Sequence, residues 1–188
     1  MSNIAIFISG DGTNLKSIVE KISPDVNVSY VFSNSEKADG VKYAESKGIR
    51  TIAIDSKKYY DKEVQSNEMV RLLGKQDIDL IVLAGYMEKI PEGVLSKYKV
   101  INLHPSLLPK HKGLKAIEKS FEDNSHIGGI SYHWCNNKID DGDLVEQFEI
   151  TKRGDINQYN KDIKKAEHST YYQVIEKVLG IRNQYKIK

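Results

Sequence analysis

The stretch NIAIFISGDGTNLKSIV, residues 3–19, decides the fold. It opens on a short apolar run, Ile4 to Ile8, that reads as a strand. Ser9, Gly10, Asp11 and Gly12 then mark a turn. From Thr13 the apolar residues Leu15, Ile18, Val19 and Ile22 recur at helical spacing. A strand, a glycine loop and a helix in that order begin a βαβ unit. In such a loop the backbone N–H groups and the positive end of the helix dipole can hold a phosphate. A tight strand-to-helix turn capped by Thr13 or Asn14 would look the same. The loop is a poor dinucleotide fingerprint, because Leu15 takes the place of the third glycine, and it lacks the Gly-Lys-Ser/Thr end of a P-loop. A single phosphate suits it better than a pyrophosphate.

Working outward, strand-like runs recur at residues 28–33, 51–55, 79–85 and 99–103, with helix-like segments at 13–22, 41–48 and 59–75 between them. After Gly113 comes a helix-like segment at 116–124. Then GGISYHWC and LVEQFEI, two strand-like runs separated by NNKIDDGD, read as an antiparallel addition to the sheet. A last helix is expected within 155–179. No repeat and no Pro, Gly or Ser-rich linker divides the chain, so residues 1–188 read as one domain. The expected fold class is α/β: a Rossmann-like open, mostly parallel twisted sheet with helices on both faces and an antiparallel C-terminal addition.

Bulk properties exclude several classes. Lys and Arg number 28 against 26 Asp and Glu, a net charge of +2, so no global field marks a nucleic-acid or membrane-surface binder. Residues 151–188 are more basic, with nine Lys or Arg against four Asp or Glu, and read as a solvated helix and tail. The lone Cys135 forbids an intrachain disulfide and is expected to pack in a strand. No apolar run approaches the roughly 20 residues that span a bilayer, and no signal-peptide pattern precedes IAIFI. A cytoplasmic protein is the expectation.

INLHPSLLPKHKG, residues 101–113, concentrates the chemistry. Asn102 and His104 are two apart, so on a strand they face one side, at the carboxyl end where sites form in α/β sheets. Pro105 then forces a turn. A carboxamide donor beside an imidazole suits a reaction in which a carbonyl oxygen becomes negative, as in acyl transfer. The other reading is a buried, hydrogen-bonding histidine. His111 reads as a surface residue. Downstream, Asp140, Asp141 and Asp143 cluster in a glycine-containing turn, readable as a metal loop, a solvated tip or a catalytic carboxylate. The spacing does not match an EF-hand. A carboxylate beside His104 would raise the imidazole pKa and favour its charged form.

Taken together, ISGDGTNL, VLAGYMEKI, NLHPSLLP, ISYHW…IDDGDLVEQ and AEHSTYY resemble the glycinamide ribonucleotide formyltransferase family, the folate-dependent enzymes of purine biosynthesis, over nearly the whole chain. The resemblance implies Asn102 as oxyanion donor, His104 as proton-transferring residue and Asp140 as the carboxylate that raises the histidine pKa. It implies a substrate site of Gly12, Thr13, Asn14 and Glu167, and a folate site of Lys57, Met87, Glu88, Lys89, Ile90 and Asn102. His133 lies nearby in the same comparison and receives no catalytic role. The co-substrate implied is 10-formyltetrahydrofolate, without a metal. Residues 1–100 would then form the nucleotide-binding half and 101–188 the catalytic and folate-binding half, in a monomer or homodimer with small-molecule partners only. Glu88 and Lys57 stand where relatives often carry Arg, and HKG stands where others often read YPG or FKG. Related formyltransferases acting on methionyl-transfer RNA or sugar nucleotides typically carry a further C-terminal domain. Formyl transfer to an amino-sugar nucleotide is the alternative reading, and a non-catalytic nucleotide-binding module a third.

Overall fold

The first strand, β1 (Ser2–Ile8), has Ile4 to Ile8 wholly buried, which places it inside a sheet covered on both faces. Because side chains alternate along a strand, Ile4, Ile6 and Ile8 enter one core while Ala5 and Phe7 enter the other. The chain is described here from a computed structural model, over residues 1–55, 61–75 and 77–181.

In chain order the elements are β1, α1 (Thr13–Lys21), β2 (Val26–Ser33), α2 (Asp39–Ser46), β3 (Arg50–Ala53), α3 (Lys62–Leu73), β4 (Leu80–Leu83), α4 (Glu92–Leu95), β5 (Val100–His104), α5 (Ala116–Glu122), β6 (Ile127–Trp134), β7 (Leu144–Thr151) and α6 (Ile156–Val178). The seven strands form one sheet in the order β3-β2-β1-β4-β5-β6-β7. The first five run parallel, and β6 and β7 are antiparallel additions. Helices α1, α2 and α6 pack on one face with Leu15, Ile18, Val41, Ala44, Tyr159, Ile163 and Tyr171. Helices α3 and α4 cover the other with Met69, Leu73 and Val94. The expected fold class is therefore borne out.

The strand order reverses between β1 and β4, the place where α/β sheets open a crevice. Registers align the strand ends there: Phe7 pairs with Leu83, and Leu83 with Asn102. Loops 9–12, 84–90 and 105–113 consequently leave the sheet side by side.

Element boundaries moved in small ways. α2 begins at Asp39, two residues before the expected Val41, and the single-turn α4 carries too few residues to show a periodicity. α6 is one helix of 23 residues whose N-terminus is capped by Asp155, its carboxylate accepting from Gln158 N at 2.9 Å. Cys135 lies one residue past β6, where its N–H donates to Val100 O at 2.8 Å and burial pushes the thiol up to about 12.

Candidate active site

The glycine loop takes a shape that only its sequence allows. Gly12 has φ 65°, and a Cβ there would lie 2.9 Å from the Cα of Gly40. Gly12 is also the N-cap of α1, and no side chain caps that helix end among the described residues, so the Thr13 or Asn14 cap is not formed. The first-turn N–H groups and the dipole are thereby left to an anion. Thr13 is exposed at this end. Asn14 Nδ2 donates to Glu167 Oε2 at 2.9 Å, joining α1 to α6 across 153 residues. Asn14 Oδ1 is buried without a partner among the described residues, an acceptor available to a donor from outside the chain. Burial pushes the Glu167 carboxyl above its ordinary value, against the Asn14 hydrogen bond and Lys164.

The next loop along the switch point tethers to the first: Met87 N donates to Ser9 Oγ at 2.8 Å. Met87 itself is 79% exposed, Lys89 is exposed and Glu88 is half-buried. Tyr86 OH and Gln65 Nε2 lie within 3.5 Å of Glu88 Oε2. Ile90, unlike the exposed Met87 and Lys89, is buried in the core with Leu83 and Val94. Lys57 lies outside the described residues.

At the end of β5, Asn102 pairs with His133 and His104 with Ser131 on the antiparallel β6. The turn that follows is pinned by buried polar groups. Ser131 Oγ donates to Ser106 O at 2.6 Å and accepts from Leu108 N at 2.9 Å and Gln147 Nε2 at 2.8 Å. Asp140 reaches the same place from the turn after β6, with φ 49°. Gly142 lets that turn lie against β6, since a Cβ there would meet Trp134 O at 1.7 Å.

His104 is therefore bracketed. Its Nδ1 lies 3.2 Å from Asp140 Oδ2, and its Nε2 lies 2.9 Å from the carbonyl oxygen of His111. Gly113 N also donates to Asp140 Oδ2 at 2.9 Å. The expected upward shift of His104 is corrected: burial lowers the imidazole below its ordinary value, and the His111 carbonyl and Asp140 restore only part of it. Burial raises the Asp140 carboxyl, but the Gly113 N–H and the neighbouring His133 and His104 rings outweigh it and hold the group below its ordinary value, so it is an anion at neutral pH.

Two residues that the sequence did not assign join the cluster. His133, 2% exposed, has Nδ1 3.0 Å from Trp134 O, which can only accept, so Nδ1 carries the hydrogen. Its bare Nε2 accepts from Asn102 Nδ2 at 3.2 Å, which fixes the amide orientation and leaves one Asn102 hydrogen for another acceptor. The family resemblance places His133 nearby but gives it no role, and its residue pattern alone shows only a histidine within a mostly apolar strand. His111, expected at the surface, is half-buried and bonded to Asp123. Asp141 and Asp143 do not join: Asp141 pairs with Lys112 on the surface, and the Asp143 carbonyl accepts from Trp134 N at 2.9 Å.

Neutral His104 beside an anionic carboxylate, with an amide hydrogen two residues back along the strand, can take up a proton while charge develops on a nearby oxygen. A scan of known families matches residues 2–175 to the one described as formyl transferase. The chain is 31% identical to the phosphoribosylglycinamide formyltransferase of Bacillus subtilis (strain 168) over 98% of both chains. It is 30% identical to that of Escherichia coli (strain K12) over 92% of this chain and 85% of that protein. The crystal structure of phosphoribosylglycinamide formyltransferase from Campylobacter jejuni superposes with a TM-score of 0.90 at 30% identity, covering 95% of this chain and 97% of that one.

Proposed function

The chain belongs to the formyl transferase family, and on that premise we propose that it transfers the formyl group of 10-formyltetrahydrofolate to the primary amine of glycinamide ribonucleotide, a step of purine biosynthesis. One observation carries the reading. Asn102 and His104 stand together at the switch-point end of β5, with Asp140 Oδ2 3.2 Å from His104 Nδ1.

The ribonucleotide phosphate lies at Gly12, Thr13 and Asn14, on the side-chain-free end of α1. Glu167 and the unpartnered Asn14 Oδ1 provide acceptors for the rest of that substrate. The folate lies along Met87, Glu88 and Lys89, whose loop leaves the sheet beside Asn102. Ile90 backs this loop from the core, and Lys57 completes the folate assignment from outside the described residues.

The amine attacks the formyl carbon, and the free hydrogen of Asn102 Nδ2 meets the oxygen on which negative charge collects. His104 Nδ1 takes the proton released by the amine; Asp140 stabilises the imidazolium as it forms. The same proton then passes to N10 of the folate as the carbon–nitrogen bond breaks, giving the formylated amide and tetrahydrofolate. The charge is met by an amide and an imidazole, so the step asks for no metal.

No helix among the described residues is long and apolar enough to cross a membrane. The near-balanced charge and free Cys135 support a cytoplasmic enzyme working as a monomer or homodimer on small molecules alone. The test offers the purified chain 10-formyltetrahydrofolate with glycinamide ribonucleotide or an amino-sugar nucleotide. Transfer to the ribonucleotide is expected. Transfer only to the sugar nucleotide overturns the acceptor assignment, and transfer to neither overturns the enzymatic reading.

A further inference from the structure

We propose that His111 is a positioning residue for this reaction: its carbonyl claims the Nε2 hydrogen of His104, and its side chain, tied to Asp123, holds the backbone where that carbonyl is needed. The catalytic consequence rests on the function proposed above; the assignment of the hydrogen does not.

His104 is flanked on both ring nitrogens. A carbonyl oxygen only accepts, so the nitrogen facing it at 2.9 Å, Nε2, carries the hydrogen. Nδ1, facing Asp140, is then the nitrogen that gains and loses a proton. The Asp140 carboxylate, 3.2 Å from Nδ1, is the competing acceptor: without the carbonyl the hydrogen would sit on Nδ1 facing that carboxylate, and the ring would offer Nε2 instead of Nδ1 as its proton-accepting nitrogen. The His111 carbonyl therefore selects the working tautomer.

The position of that carbonyl is not a default of the chain. His111 has φ 56°, a left-handed conformation that a non-glycine residue keeps only when its surroundings demand it. The demand comes from Asp123, the C-cap of α5, whose Oδ2 lies 2.7 Å from His111 Nε2. Asp123 is itself held: its Oδ1 accepts from Ser125 N at 3.0 Å and from the ammonium of Lys152, a side chain only 7% exposed just past β7. Lys152 first, and His111 with it, keep the Asp123 carboxyl well below the usual carboxylate range, so the anchor stays charged. A contiguous path thus runs from the end of β7 through the cap of α5 to the catalytic imidazole. The other titratable groups facing His104 are Asp140 and His133, and neither touches Nε2.

The experiment uses the full chain labelled with ¹⁵N-histidine. Two-bond correlation spectra read which His104 nitrogen is protonated, with His104→Gln identifying the signal, alongside kcat, KM and pH profiles. Wild type is expected to show one Nε2–H tautomer. His111→Ala is expected to show mixed tautomers, a kcat lower by about tenfold to 100-fold, KM values within about threefold, and a displaced acid limb. His111→Gln, which keeps a donor for Asp123, recovers most of the rate, and His111→Ala/Asp123→Asn falls no lower than His111→Ala. If His111→Ala does not fold, His111→Gly removes the anchor while tolerating the left-handed backbone, with the same expectations. A folded variant that keeps the Nε2–H tautomer, the rate and the pH profile overturns the proposal. Absence of formyl transfer by wild type would overturn the functional reading alone, because the tautomer comparison still decides this one.

Discussion

Asn102→Ala separates an oxyanion donor from a spacer. One hydrogen of Asn102 Nδ2 is committed to His133 Nε2 at 3.2 Å, so a single hydrogen is left for the developing negative oxygen. Loss of one such donor costs about 10²–10³ in kcat, roughly 2.7–4 kcal/mol of transition-state stabilisation. Ground-state binding of either substrate does not use that charge, so both KM values should stay within about threefold. The His133 Nδ1–H keeps its bond to Trp134 O and the fold retains its core, so the thermal midpoint is expected to hold. Asn102→Asp sharpens the test. It nearly preserves shape but removes the donor and adds a second anion to the cluster that already holds Asp140, where like charges disfavour each other by a few kcal/mol at an effective dielectric of about 20. The Asp variant should therefore be slower than the Ala variant by more than about tenfold. The assay is the absorbance change as formyl folate becomes tetrahydrofolate, followed under saturating and single-turnover conditions. An Ala variant within fivefold of wild type, or an Asp variant faster than it, refutes the assignment.

Ser131→Ala removes the hydroxyl that satisfies Leu108 N, Ser106 O and Gln147 Nε2; unpaired buried groups should cost about 2–3 kcal/mol, seen calorimetrically as a fall in Tm of about 4–12 °C. Glu167→Gln removes a desolvated carboxylate from the acceptor site, and loss of a charged hydrogen bond should raise KM for glycinamide ribonucleotide about 10-fold to 100-fold with kcat nearly unchanged in steady-state kinetics. Because burial lowers His104 and the neutral imidazole is the proton acceptor, kcat should fall as pH drops through a limb centred below 6.5 and level off above it; a pH–rate profile with the limb clearly above 6.5 contradicts this.

The sequence made the fold legible because its signals are local. The apolar run Ile4–Ile8, the turn at Gly10–Gly12 and the spacing of Leu15 and Ile18 each act within a few residues, and they led to the observed β1, loop and α1. Asn102 and His104 were legible for the same reason, since period two on a strand fixes their common side. α4 was not, because one turn of helix has no period to read. The role of His133 was not, because its tie to Asn102 depends on the register of two antiparallel strands whose pairing joins residues 31 apart.

What the sequence determined alone is the alternation of strands and helices, the glycine loop before α1 and the residue types at the end of β5, all properties of short-range backbone chemistry and periodicity. Tertiary structure decided how those residues behave. Asp140 does reach His104, yet burial under the pinned 105–113 turn outweighs its charge, so the imidazole shifts down rather than up. His111 looks like a surface residue until Asp123 and Lys152, from a helix cap and a strand end, draw it in. Desolvation and the competition among partners depend on every group that converges on a point in space, and that convergence exists only once the chain has folded.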